Sequence, residues 1–120
     1  MASAIDSTEG KHVLVELWGC DPEVLVSEEK CLEILADCAR ASGAQVIHRH
    51  AHRFGAGGVS AVLILYESHV TAHAWAEEGF VSADIYTCGE CEPEFAIPVF
   101  ESGFRAKKMT TRVILRGIEQ

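Results

Sequence analysis

Hydrophobic and polar positions change period several times along this chain, and each change marks an element. His12 to Trp18 (HVLVELW) reads as a buried strand, broken by Gly19-Cys20-Asp21-Pro22. Ser27 then offers an N-cap, with Glu28 and Glu29 in the first turn of a helix. Cys31, Leu32, Ile34, Leu35 and Cys38 form its apolar face, and Gly43 stops it. Ala44 to His52 predicts a strand, Phe54 to Gly58 a turn, and Val59 to Tyr66 a strongly apolar strand after which the chain stays extended. Ser68 to His73 and Val81 to Thr87 are further strands, joined through Trp75 to Gly79. Pro93 starts a second helix carrying Phe95, Val99, Phe100 and Phe104, against which Pro98 and Gly103 weigh, and Thr111 to Leu115 makes a closing strand.

The order β-α-β-β-β-β-α-β with hairpin-length connections predicts an α+β protein. Its architecture is a two-layer α/β sandwich, an antiparallel sheet with both helices on one face. At 120 residues one domain spanning 1–120 is expected, long enough for one core and short enough that a buried active site calls for a second subunit. No apolar run has the length needed to span a bilayer, and the N-terminus lacks the basic start and apolar stretch of a secretory signal. A reducing cytoplasm is therefore the expected setting for the five cysteines, without structural disulfides. A net charge of −8 argues against nucleic acid and against an anionic membrane as partners, and tolerates a cationic small molecule.

Several groups invite chemistry. His48, His50 and His52 alternate along one strand and share a face, as zinc ligands would; Arg49 and Arg53 intervene, and an exposed polar face explains the pattern equally well. Cys88-Gly89-Glu90-Cys91 has the C-x-x-C spacing of a redox dithiol or half a zinc knuckle, but no second cysteine pair completes it, and Cys31 and Cys38 read as core. Between Tyr66 and Cys88 a serine, two histidines, two adjacent acids, a tryptophan and a cysteine crowd together. Ser68 and His69, being neighbours on a strand, face opposite ways, and no G-x-S-x-G elbow is present. By periodicity alone most of these residues remain structural.

The segment LYESHVTAHAWAEEGFVSADIYTCG, Leu65 to Gly89, resembles the signature of the small prokaryotic S-adenosylmethionine decarboxylases, which reads like ESH-x-x-x-H-T-[WY]-P-E followed by D-x-[FY]-T-C-G. Gly10-Lys11-His12, Trp18-Gly19-Cys20, Gly43-Ala44, Phe54, Gly58-Val59-Ser60 and Arg116-Gly117 are similar in order and spacing, so the likeness runs from Gly10 to Gly117. It implies that the Ser68 hydroxyl attacks the Glu67 carbonyl and that the resulting ester eliminates. The cut falls between Glu67 and Ser68, giving a beta chain 1–67 and an alpha chain 68–120 that begins with a pyruvoyl group. That self-generated cofactor forms a Schiff base with the substrate amine and is the electron sink for decarboxylation. His73 and Ser60 would assist processing, Cys88 would return a proton to the substrate carbon, Phe54 and Trp75 would stack the adenine, and Glu77 would hold the ribose hydroxyls.

The family resemblance further implies a homodimer of processed protomers with active sites at or near the interface, and a product, decarboxylated S-adenosylmethionine, that serves as aminopropyl donor for spermidine. No metal is expected. Ala74 and Ala76 stand where Thr and Pro are usual, Gly55-Ala56 replaces a turn that more often contains proline, and Glu16 stands where Asp is frequent. These departures bear on the substrate loop, so arginine or ornithine is the alternative substrate. An unprocessed regulatory pseudoenzyme and a metal- or thiol-based redox protein are the readings from other classes.

Overall fold

In a computed structural model, which describes residues 8–119, six strands form one antiparallel sheet in the order β2-β3-β4-β5-β1-β6. The elements are β1 Gly10–Trp18, α1 Pro22–Leu25, α2 Glu28–Ser42, β2 Val46–Phe54, β3 Gly58–Leu65, β4 Ser68–Trp75 and β5 Phe80–Cys88. A 3₁₀ turn at Pro93–Ala96, α3 Ile97–Phe104 and β6 Lys108–Arg116 complete the fold. The strands from β2 to β5 run as successive hairpins. β1 slots between β5 and β6, so the first of the described strands lies one place in from the β6 edge of the sheet.

Period-two alternation divides the sheet into two unlike faces. Val13, Val15, Leu17, Val59, Ala61, Leu63, Leu65, Val70, Ala72, Ala74, Val81, Ala83 and Ile85 are buried beneath the helices. Residues of opposite parity form a face that none of the described helices covers, and Trp18, Val62, Ile64, Trp75 and Ile114 stand partly exposed on it. Helix α2 begins where the Ser27 hydroxyl accepts from the Lys30 N–H and ends at Gly43 with φ 85°. It buries Cys31, Ile34, Leu35, Cys38 and Ala39, whereas Leu32 is only partly covered.

The architecture is the expected sandwich, with local corrections. Asp21-Pro22, read as a strand break, also opens the short helix α1: the Asp21 carboxylate accepts from the Glu23 N–H. The second helix is split. Pro98 lies in the first turn of α3, where its missing N–H costs nothing, and the preceding residues form the 3₁₀ turn. Phe100 and Phe104 fill the core, but Phe95 points outward and is exposed. The chain does not stay extended after β3; it reverses in a two-residue turn, Tyr66-Glu67, with Leu65 paired to Ser68.

Candidate active site

The tight β3–β4 hairpin decides the local geometry around Ser68. Closing it in two residues puts Glu67 at φ 62°, a left-handed conformation in which an L side chain crowds its own backbone. The Ser68 hydroxyl donates to the Tyr66 carbonyl at 3.3 Å. Across the β4–β5 ladder, where His69 pairs with Tyr86, Cys88 comes opposite Glu67, and its thiol donates to the Glu67 carbonyl oxygen at 3.6 Å. A cavity of about 300 Å³ opens here, bounded by the end of α2 (Gly43, Ala44), by Tyr66 and Glu67, and by Cys88 and Cys91.

The other predicted residues gather at the opposite end of the same strands. Ser60 pairs with His73, and Ser60 Oγ lies 2.8 Å from His73 Nδ1. Beyond them the Phe54 ring lies over Gly58, where an added Cβ would sit 2.3 Å from the ring, so only glycine permits this approach. Phe54 meets Trp75 edge to face at 5.9 Å. Trp75 in turn stacks on Phe80 at 5.5 Å with an interplanar angle of 26°. Phe54, Trp75 and Glu77 line one cavity of about 200 Å³ with the glycine-rich β2–β3 turn.

Glu67, Ser68 and Cys88 thus come together, as do Ser60 and His73 with Phe54, Trp75 and Glu77, but the two groups do not meet within one chain. Ser68 and His73 are five residues apart on β4, which at about 3.3 Å per residue separates them by roughly 17 Å. The odd spacing also sends them to opposite faces, Ser68 with Val70 and Ala72, His73 with His69 and Thr71.

Between the two groups lies a network that the sequence reading did not assign. His12 on β1 and His69 on β4 both pair with Tyr86 of β5, and their Nε2 atoms lie 2.5 and 2.9 Å from Asp84 Oδ2. Thr71 donates its hydroxyl to the other carboxylate oxygen. Burial would raise the Asp84 carboxyl, but hydrogen bonds from His69, Thr71 and His12 outweigh it and bring it down to about 2. His12, His69 and Asp84 offer ligand atoms within 4.8 Å of one another. The Arg116 guanidinium, however, donates to His12 Nδ1 at 3.2 Å, which places the His12 proton on Nε2, facing Asp84, and leaves that ring no free lone pair for an ion. His12, His69 and Asp84 each fall within the segments similar to the family, Gly10-Lys11-His12, Glu67-Ser68-His69 and D-x-Y-T-C-G, but nothing in those segments says that the three meet.

His48, His50 and His52 sit on the edge strand β2, exposed to solvent. Cys31 and Cys38 are core residues, and all five cysteines are free thiols.

Comparison with known proteins bears on the family and the fold. Residues 11–117 match the family model described as S-adenosylmethionine decarboxylase. The S-adenosylmethionine decarboxylase proenzyme of Thermococcus gammatolerans is 40% identical over 114 residues, 94% of this chain and 80% of that protein. The proenzyme of the same name from Methanococcus maripaludis is 38% identical over 110 residues, 91% of this chain and 90% of that protein. Among solved structures, the adenosylmethionine decarboxylase of Aquifex aeolicus superposes with a TM-score of 0.85 at 28% identity, covering 95% of each chain.

Proposed function

The chain belongs to the S-adenosylmethionine decarboxylase family and is an enzyme of that kind, and from this premise we propose that it becomes active by cutting its own backbone between Glu67 and Ser68. The observation that carries the reading is the convergence of three groups on one peptide bond. Glu67 holds the bond in a left-handed conformation that costs on the order of 1 kcal/mol. The Ser68 hydroxyl lies beside it, and the Cys88 thiol addresses its carbonyl oxygen. Strain at the bond to be broken favours its rearrangement. A small rotation of the Ser68 side chain takes Oγ from the Tyr66 carbonyl to the Glu67 carbonyl carbon. As Oγ attacks, negative charge grows on the oxygen that the Cys88 S–H already faces.

Elimination breaks the ester C–O bond, frees the 1–67 chain with a Glu67 carboxylate and leaves a dehydro residue at the head of the 68–120 chain; water then replaces its nitrogen, released as ammonia, so that this chain begins with a pyruvoyl group made from Ser68. The residues present suit that group: Ser68 stands at the start of a strand, beside an open cavity, so a new terminus there is accessible to a small substrate. The pyruvoyl carbonyl supplies the electron sink that loss of a carboxylate requires. Cys88 Sγ stands at this position to return a proton to the carbon that loses its carboxylate.

The Ser68 hydroxyl and α-carbon need a base during the cut, and His73 of the same chain is out of reach. We infer that a second copy supplies it, its Ser60 hydroxyl orienting the His73 ring through the 2.8 Å contact. Pairing through the uncovered sheet face would also bury the partly exposed Val62, Ile64, Trp18 and Ile114. The active form is thus a homodimer with composite sites. Phe54 and Trp75 then present aromatic faces to the adenine of S-adenosylmethionine, and Glu77 accepts from its ribose hydroxyls. The product, decarboxylated S-adenosylmethionine, is an aminopropyl donor for spermidine. A reducing cytoplasm suits the free thiols.

Intact mass spectrometry tests the reading. The wild type is expected as two fragments meeting at 67 and 68, the smaller carrying pyruvoyl in place of serine, and Ser68→Ala as one uncut chain. A wild type that stays whole with a free Ser68 hydroxyl overturns it.

A further inference from the structure

Cys91 takes no part in the chemistry above, yet it stands at the same cavity as the Glu67–Ser68 bond. Strand β5 ends at Cys88, and the chain turns through Gly89, at φ 68°, and Glu90. A β-turn brings its first and fourth Cα atoms within about 7 Å, the span that a disulfide bridges. Both sulfurs line one cavity: Cys88 Sγ lies 3.6 Å from the Glu67 carbonyl oxygen, and Cys91 Sγ lies 3.5 Å from that of Gly43. Both are partly exposed, whereas Cys20, Cys31 and Cys38 are buried. Burial pushes Cys20 and Cys31 up to about 11 and Cys38 higher still, which keeps these three protonated and inert near neutral pH. Burial also raises Cys91, and negative charge on Cys88 and on Glu90 raises it further. The two thiols of the C-x-x-C therefore lie within electrostatic reach of each other.

We propose that Cys88 and Cys91 form a reversible redox site, in which a small-molecule disulfide oxidises the pair to an intramolecular disulfide and withdraws the Cys88 thiol from the cavity beside residues 67 and 68. The Cys88 thiolate attacks one sulfur of the oxidant, forming a mixed disulfide and expelling one small thiolate. Cys91 then gives up its proton to solvent and attacks the Cys88 sulfur, expelling the second. Two protein S–H bonds become one S–S bond, and the oxidant is reduced to two thiols. Formation of the disulfide depends only on the geometry at the cavity. Its inhibitory effect rests on the function proposed above, in which Cys88 works as a free thiol.

The test treats the purified, processed enzyme with oxidised glutathione, blocks remaining thiols with an alkylating agent after unfolding, and maps the peptides by mass. Cys88 and Cys91 are expected to be joined and Cys20, Cys31 and Cys38 alkylated. Decarboxylase activity should fall in proportion to the disulfide and return with dithiothreitol. Cys91→Ser should keep the basal activity and, under the same oxidant, carry at most a glutathione adduct on Cys88. Because a thiolate is the attacking species, bond formation should quicken as pH rises. Alkylation of both Cys88 and Cys91 in the oxidised sample, or a disulfide that forms without loss of activity, overturns the proposal. A chain that forms the disulfide but is inactive even when reduced sinks the functional reading and leaves the redox site standing.

Discussion

The Cys88 thiol addresses the carbonyl oxygen of Glu67 from 3.6 Å, on the residue whose peptide bond is the proposed site of cleavage. A group assigned only to the later decarboxylation would have no reason to be aimed at that oxygen before cleavage. Cys88→Ala should therefore slow cleavage on the order of tenfold, the loss of a weak donor worth about 1.4 kcal/mol, and should depress decarboxylation of whatever chain is cut. Cleavage is followed by intact mass against time and decarboxylation by carbon dioxide release from the cut fraction, so that one defect does not pass for the other. A variant that cleaves at the wild-type rate would confine Cys88 to the second reaction.

The roughly 17 Å between Ser68 and His73 along β4 makes a prediction about partnership. Ser68→Ala and His73→Ala, each expressed alone, should remain uncut. Co-expressed, they should form mixed dimers in which the His73→Ala chain, still carrying Ser68, is cut with help from its partner's intact His73. Fragments from that chain, identified by mass, are the expected result. If co-expression produces no fragments although mixed dimers are isolated, His73 does not act across the interface.

Asp84 ties β1, β4 and β5 together through His12, His69 and Thr71. Its carboxyl sits near 2 when folded, below the ordinary value of 3.8. The stability it contributes is thus fully present above about pH 4 and is lost as pH falls towards 2. Asp84→Asn should lower stability at neutral pH by about 1.5–3 kcal/mol, the range for hydrogen bonds to a charged group. It should also flatten the acid limb of the stability curve between about pH 4 and pH 2. Urea titrations across that range check this, and parallel acid limbs for variant and wild type would place the acid sensitivity in other carboxylates.

Trp75 already stacks on Phe80 and meets Phe54 edge-on, so an adenine inserted beside Phe54 finds a preformed aromatic wall. Trp75→Ala should lower catalytic efficiency on S-adenosylmethionine about tenfold or more, given about 1–3 kcal/mol for base–aromatic stacking. The rate of self-cleavage should stay unchanged, because no nucleoside is bound in that step. Steady-state kinetics on fully cut enzyme decide it. Equal efficiency in wild type and variant would leave Trp75 as wall packing alone.

Much of the fold followed from local rules that a sequence carries in full. Ser27 caps its own helix three residues on, Gly43 ends it by adopting a backbone that other residues resist, and alternation in Val59 to Leu65 follows from the pleat of a strand. Ser68, His73 and Cys88 stand out in the sequence through their family-like spacing. The opposite ends and faces that Ser68 and His73 take on β4 were implicit in that spacing too, since five residues is an odd number on a strand.

Only the tertiary structure decided what these residues meet. The pairing of β1 with β5 brings His12 to Asp84 across 72 positions of chain, a juxtaposition with no local periodicity to announce it. The left-handed Glu67 arises because the registers of β3 and β4 leave two residues for the turn, whatever Glu67 itself prefers. The meeting of Cys88 and Cys91 at one cavity depends on where α2 ends above the sheet. Short-range preferences act between neighbours and are written in the sequence order; strand pairing and layer packing are settled by the chain as a whole, and the surroundings of the Glu67–Ser68 bond belong to that second kind.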